Sequence, residues 1–348
     1  MRFKPFFIQK VALLSLVVAA TITLFSCGTE APKGKDEFAA TGIPEIDKIT
    51  ALLKNDVKND SLWSLRGTAF YDAATENDEL YDFAIRDFQR AIQLDSNKYE
   101  NYHALADAQL DFNQSQQGIK TLEVVLKRSP NREFTLLKLS EFHLIVKQYA
   151  QAMACANIIL EKNRTHSDAN FMVGRVLKEQ GDTLAALTAF QRSVQANSDN
   201  YDAYMQLGLL CAEQKSPLAL LNYNNALRID STKTEAMYAK AMYYQEQKEP
   251  QLEKALALYR KIVVLDPQHT DAIFNTGIIQ LEQEKFAEAK ASFELSTKTD
   301  ATCGRCFYYR AVIAEKQKDI PAARQFLQQA MKLEPDNESI KTALAGLK

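Results

Sequence analysis

Residues 201–233 read YDAYMQLGLLCAEQKSPLALLNYNNALRIDSTK, and residues 270–303 read TDAIFNTGIIQLEQEKFAEAKASFELSTKTDATC. Each holds two stretches with apolar residues at helical spacing: AYMQLG and LNYNNALRID in the first, AIFNTG and FAEAKASFE in the second. A small residue sits in the first stretch (Gly208, Gly277), a second small one begins the next (Ala219, Ala289), and a ring follows four positions on (Tyr223, Phe293). The same arrangement runs through the chain at a spacing of about 34 residues. Its first small position is held by Gly67, Ala106, Ser140, Gly174, Gly208, Ala241, Gly277 and Ala311, and its second by Ala84, Gly118, Ala152, Ala186, Ala219, Ala255, Ala289 and Ala323. Phe88, Leu122, Ala156, Phe190, Tyr223, Tyr259, Phe293 and Leu327 hold the position four further on. Small residues at fixed points let two helices touch, and bulky ones fill the space between neighbouring pairs. A period of this length predicts an all-α solenoid, in which each hairpin buries its apolar face only by stacking on the next.

The motif resembles the tetratricopeptide repeat, and the resemblance covers residues 60–337. Pro130, Pro267 and Pro335 stand in the turn where that family carries proline, which cannot continue the preceding helix. Ser96, Ser198, Ser231 and Arg164 take that place in other copies. The resemblance implies a right-handed superhelical solenoid of about eight helical hairpins with terminal capping helices. Its repeats are expected at 60–98, 99–132, 133–166, 167–200, 201–233, 234–269, 270–303 and 304–337. The first copy carries extra residues around 72–80 and the sixth near Pro250. Ahead of them, residues 44–59 form an amphipathic stretch with Ile46, Ile49, Leu52 and Leu53 on one face, expected as a half-repeat that caps the first hairpin. Behind them, Ile340, Ala343, Leu344 and Leu347 predict a solvating C-terminal helix over 338–348.

The N-terminus carries different information. Arg2, Lys4 and Lys10 precede an apolar run, Val11–Phe25, that is too short for a comfortable transmembrane helix of ~20 residues but suits a secretory signal. Leu24, Phe25, Ser26 and Cys27 resemble the lipobox of bacterial lipoproteins, although Phe25 departs from the small or aliphatic residue preferred there. That resemblance implies a signal peptide over 1–26, cleavage before Cys27 and lipidation of Cys27; a retained signal anchor is the alternative. Several acyl chains anchor stably where one holds only marginally. Residues 27–43 are small and polar, and are expected to be a flexible tether. Lys35, Asp36 and Glu37 could serve as a surface-export signal, though a solvated linker accounts for them too. The localisation expected is the bacterial cell envelope: the outer membrane facing the periplasm, with the cell surface as the other face.

Composition excludes some function classes. Hydrophobic residues make up 46% and charged residues 25%, as in a folded soluble body. Removing residues 1–26 takes away Arg2, Lys4 and Lys10 and no acid, moving the formal net charge from −2 to −5. A mildly acidic protein without a basic patch is a poor nucleic-acid binder, since that binding rests on neutralising phosphates. No phosphate loop or nucleophile elbow is present, and His103, His143, His166 and His269 show no metal-ligand spacing. No catalytic residue, metal or cofactor is therefore expected. Of the five cysteines, Cys155 and Cys211 lie two repeat stackings apart, roughly 20 Å at ~10 Å per helix layer, beyond the ~7 Å Cα limit of a disulfide. They are expected to be buried free thiols. Cys303 and Cys306 begin a helix, with Arg305 between them. A structural disulfide, two unpaired thiols and a redox-active pair are all open for them.

In the resembled family the first helix of each hairpin lines a concave groove that takes peptides or partner helices. The fifth groove position in repeats four to eight holds Phe171, Met205, Tyr238, Phe274 and Tyr308; the ninth holds Arg175, Leu209, Met242, Ile278 and Val312. This apolar, aromatic-rich stripe suits protein docking, and it suits packing between neighbouring first helices equally well. Glu100, Asp168, Asp202, Glu235 and Asp271 at the second position stabilise helix N-termini, and facing a ligand they would favour lysine or arginine. Repeats one to three are more polar (Ser64, Thr68, His103, Asp107, Leu137, Glu141). The expectation is a non-catalytic adaptor whose architecture resembles NlpI-like tetratricopeptide lipoproteins and whose partners are other proteins and the membrane. Two alternatives stand beside it: a redox or chaperone-like factor working through Cys303 and Cys306, and a subunit self-associating through the stripe.

Overall fold

A computed structural model describes residues 38–74 and 78–347, in two compact units that divide after Val57. All regular structure among the described residues is helical. The first unit holds α1 (Pro44–Asn55), which starts with proline at its first turn. Its entry is fixed by Asp47, whose carboxylate accepts from the Thr41 and Gly42 amides at 2.7 and 3.1 Å; Gly42 supplies a φ of +77°. Ile46, Ile49 and Leu53 are buried and Leu52 is exposed.

The second unit is a row of helical hairpins: α2 (Asp60–Ala73) with α3 (Asp78–Leu94), α4 (Tyr99–Asp111) with α5 (Ser115–Arg128), and α6 (Glu133–Ile145) with α7 (Tyr149–Lys162). It continues with α8 (Ser167–Glu179) and α9 (Thr183–Ala196), α10 (Tyr201–Glu213) and α11 (Leu218–Ile229), and α12 (Thr234–Gln245) and α13 (Leu252–Leu265). The last hairpins are α14 (Thr270–Glu282) with α15 (Phe286–Thr299) and α16 (Gly304–Lys316) with α17 (Ile320–Leu333), followed by α18 (Glu338–Gly346). Each helix packs on the one before and the one after, and first helices also touch across repeats, as α6 does α8. This is an α-solenoid. Among the described residues, no helix is long and apolar enough to cross a membrane.

Helix starts follow capping chemistry. The Asn59, Asp182, Asn200 and Asp319 side chains accept backbone amides of the first turn that would otherwise lack partners. His166 and His269 cap α8 and α14 in the same way, each accepting through Nδ1 at 3.3 Å. The turn inside most hairpins needs a left-handed residue. Gly181 serves in one, while Asn113, Lys147, Lys215, Glu284 and Lys318 take φ between 54° and 64° in the others.

The core sits where the sequence repeats. Phe190, Tyr259 and Phe293 are fully buried, as are Ala106, Ala186, Ala255 and Ala289 at the small positions. Ser140 lies so close to α7 that its hydroxyl donates to the Ala152 carbonyl at 2.7 Å. At Gly174 the approach is closer still: a Cβ there would sit 2.6 Å from Cδ1 and Cε1 of the Phe190 ring. The first hairpin adds to its own close approach of Gly67 and Phe88 a second device: Arg66 and Asp87, 2% and 3% exposed, form a two-pronged ion pair at 2.7 and 2.8 Å. The Arg66 guanidinium also lies over the Trp63 ring at 4.9 Å.

Gly174→Ala tests the close approach. Alanine is the better helix former by about 1 kcal/mol, yet overpacking against Phe190 costs about 1–3 kcal/mol. Urea denaturation should show net destabilisation, and a stabilised variant would mean that the ring yields freely.

Candidate functional site

The first helices α8, α10, α12, α14 and α16 carry the residues expected to line a groove, and the structure sorts them into two groups. Met205 and Phe274 are buried, at 2% and 5% exposure, while the other eight are half-buried. Phe274 packs edge-on against Phe293 and Tyr309, with the Arg305 guanidinium 4.3 Å from its ring. Phe171 rests on Phe190 at 5.6 Å between ring centres, and Tyr308 meets Tyr309 edge-on. Arg175 is committed to Glu141, donating to its carboxylate at 2.9 Å. These side chains serve the packing of neighbouring repeats.

Between α10, α12 and α14 the face opens. Met205, Leu209, Tyr238 and Met242 line a cleft of about 540 Å³, with Tyr223 and Tyr243 among its other walls. Tyr238 is held from several sides. Its ring stacks on His269 at 5.3 Å and tilts against Tyr259 at 5.8 Å, and its hydroxyl accepts from Asn275 Nδ2 at 3.0 Å. Asn275 reaches the Met242 sulfur and the Tyr259 hydroxyl as well, so one amide ties two cleft residues of α12 to the buried ring of α13 beneath them. Burial raises the Tyr238 phenol above its ordinary range, which keeps it a hydrogen-bond donor.

Sequence reasoning missed His269 and Asn275. A signal for His269 was available: it occupies the last position of its repeat, where Asn59, His166, Asn200 and Asn337 also cap the following helix. Nothing in the sequence marks Asn275, whose role depends on three residues from other helices.

Repeats one to three form a different surface. His103 Nε2 pairs with the Thr135 hydroxyl at 2.8 Å, and Lys138 donates to both oxygens of Asp107, at 2.6 and 2.7 Å. Thr68 is exposed, its hydroxyl donating to the Ser64 carbonyl one turn back on the same helix. Cross-repeat pairs therefore occupy the polar groups there.

Cys303, the N-cap of α16, is joined by a disulfide to Cys306, with their Cα atoms 5.3 Å apart. Both are buried, and Arg305 between them points outward to pair with Asp271. Cys155 and Cys211 are buried free thiols, and burial pushes Cys155 up to about 11. Cys27, the expected lipidation residue, lies outside the described residues. Among the described residues no group of three or more His, Cys, Asp or Glu is placed to hold a metal ion.

Residues 171–231 and 274–338 match the family model of the tetratricopeptide repeat. The chain is 28% identical over 162 residues to the type IV pilus assembly protein PilF of Pseudomonas aeruginosa, covering 46% of this chain and 64% of that protein. It is 23% identical over 170 residues to the protein O-mannosyl-transferase TMTC3 of Homo sapiens, covering 47% of this chain and 18% of that one. The chain thus spans less than two thirds of the length of these relatives. Among solved structures, the C-terminal part of a TPR repeat-containing protein from Cytophaga hutchinsonii superposes with a TM-score of 0.55 at 19% identity, covering 69% of this chain and 98% of that one. The solved PilF structure does so at 0.53 and 15%, covering 61% and 96%. These structural likenesses concern the fold.

Two predictions follow from this geometry. Replacing Cys303 and Cys306 together by serine should lower stability by about 2 kcal/mol, the loop-closure value for so short a ring, in thermal melts run without reductant. The second concerns His103, a buried ring whose pKa burial lowers from 6.5 to about 4. The unfolded ring takes a proton where the folded one stays neutral, so this contribution is complete above pH 6.5 and falls away as the pH drops toward 4. Denaturation at stepped pH should show His103→Gln losing less stability than wild type across that window.

Proposed function

We propose that this chain, which carries tetratricopeptide repeats, is a non-catalytic scaffold held to the bacterial envelope by lipid on Cys27, and that it docks segments of partner proteins on its first-helix face. The cleft between α10, α12 and α14 carries this reading. It is concave, mostly apolar and walled by aromatic and methionine side chains, the types that concentrate binding energy at interfaces. The lipid anchor rests on the sequence around Cys27, and the outer membrane facing the periplasm is the proposed location. PilF, a relative with the same repeat architecture, is named for assembling type IV pili, which supports a role beside other envelope proteins.

The buried state of Cys303 and Cys306 favours a staple for α16 over a redox centre, because an exchange reaction needs an accessible sulfur. The adaptor reading is therefore preferred to the redox one.

Each half of the proposal has its own test. Cys27→Ser should abolish labelling by palmitate and release the protein from membranes; a labelled, membrane-bound variant would refute lipid anchoring. For docking, Leu209→Ser and Met242→Ser together remove cleft walls without touching the fully buried rings. Crosslinking pull-downs from native membranes should lose partners with this variant, and an unchanged partner set would mean the cleft is not the docking site.

A further inference from the structure

We propose that the cleft takes a lysine- or arginine-bearing segment of a partner protein, with an apolar side chain seated on Leu209, Tyr238 and Met242 and its cations along Asp202 and Glu235. This rests on the reading of the first-helix face as a docking surface and states what that surface selects.

The argument starts from where charges are matched and where they are not. On two other first helices the acid at the second position of a repeat meets a cation at or just before the start of the next first helix, whereas Asp168, with Asn200 and Asp202 at the corresponding places, does not. Arg132, the residue before α6, pairs with Glu100 at 3.1 Å, and Arg305, the second residue of its repeat, pairs with Asp271. Those are the two places from which a neighbouring cation comes. Opposite Asp202 they hold Lys233 and Glu235; opposite Glu235 they hold His269 and Asp271. Lys233 lies instead over the Tyr201 ring at 5.8 Å, and His269 spends its Nδ1 on capping α14. Asp202 and Glu235 consequently have no ion pair among the described residues.

Glu213, Glu246 and Asp271 are on the cleft walls with Glu235; Asp271 is paired with Arg305, and no lysine or arginine is itself among the cleft-lining residues. Burial raises both the Asp202 and the Glu235 carboxyl above the usual range and Asp202 raises Glu235 further, while Lys233 pulls both down and Arg175 pulls down Asp202. Lys233 is near both acids without a direct ion pair, so their charge is only partly offset in the free protein. A concave, low-dielectric surface of one sign concentrates oppositely charged ligands, and an incoming cation supplies the missing partner. An acidic tail would meet like charge at Glu213, Glu235 and Glu246.

The test uses the full chain and two labelled synthetic peptides, one alternating lysine with leucine and one alternating glutamate with leucine, followed by fluorescence anisotropy. The lysine peptide should bind and the glutamate peptide should not. Asp202→Asn with Glu235→Gln should weaken the lysine peptide by roughly tenfold or more and flatten its salt dependence. Glu284→Gln with Glu288→Gln, exposed acids away from the cleft, should leave it unchanged; circular dichroism checks that both variants fold. Equal binding by the two variants, equal binding of the two peptides, or occupation of the cleft by a second copy of the chain would each overturn the proposal. Pull-downs separate its failure from that of the docking reading. If Leu209→Ser with Met242→Ser loses partners while Asp202→Asn with Glu235→Gln keeps them, docking stands and the cationic occupant falls. If neither variant loses partners, both fall.

Discussion

An aromatic ring from the second helix of a hairpin seats against a position on the first helix that has almost no side chain. At Gly174 and Phe190 the fit leaves no room for a methyl group, and Gly277 with Phe293 repeats it. This contact sets how near the two helices come, and their spacing fixes where the next first helix lands. The first helices are thereby brought into one row, and the fifth and ninth residues of each face a common side. In repeats five and six the seated ring is a tyrosine, and this changes the surface above it. The Tyr259 hydroxyl donates to Gln245 and receives Asn275, which also holds Tyr238. A polar tip on a core ring thus organises the wall of the cleft.

The fold was legible because its determinants are local and repeated. A small residue and a ring recurring at about 34 residues define the hairpin whatever lies between. The candidate site was legible only in part. Phe171, Met205, Tyr238, Phe274 and Tyr308 share one register, yet Met205 and Phe274 are buried while Tyr238 borders open space. The difference arises from neighbours in adjacent repeats: Tyr309 and Arg305 close over Phe274, and the next repeat offers Tyr238 only the edge supplied by His269 and Asn275. Such offsets are tertiary and leave no trace in a single repeat. The turns were opaque for another reason. Five of them place Asn, Lys or Glu in the left-handed region, where glycine would have been the visible marker. Cys303 and Cys306 left three readings open, because spacing alone does not say whether the first turn of α16 brings the two sulfurs together.

The two halves of the array differ in what their surface has left to offer. From repeat one to the start of repeat four, acids and bases satisfy one another within or between repeats: Asp60 with Lys98, Glu100 with Arg132, Asp107 with Lys138, Glu141 with Arg175. Most of these pairs are partly exposed, so each adds little to stability. Their larger effect is to leave few unmatched groups for a partner. The C-terminal half has pairs of its own, Asp199 with Arg228 and Asp271 with Arg305, but adds an apolar cleft and the unpaired Asp202 and Glu235, so the scaffold presents a self-satisfied face and a receptive one.

A row of hairpins in which each touches its neighbours has a weakness at its ends, where a terminal hairpin lacks a full hairpin on one side; here the last is covered by the single helix α18. Here each terminal hairpin contains a bond that no interior one repeats: the buried Arg66–Asp87 pair in the first, and the Cys303–Cys306 disulfide in the last. In a one-dimensional array, melting normally enters by fraying from the termini, because opening an interior hairpin breaks two interfaces at once. With both ends reinforced that route costs more, so fraying contributes less and the stacked hairpins are held closer to melting as one unit.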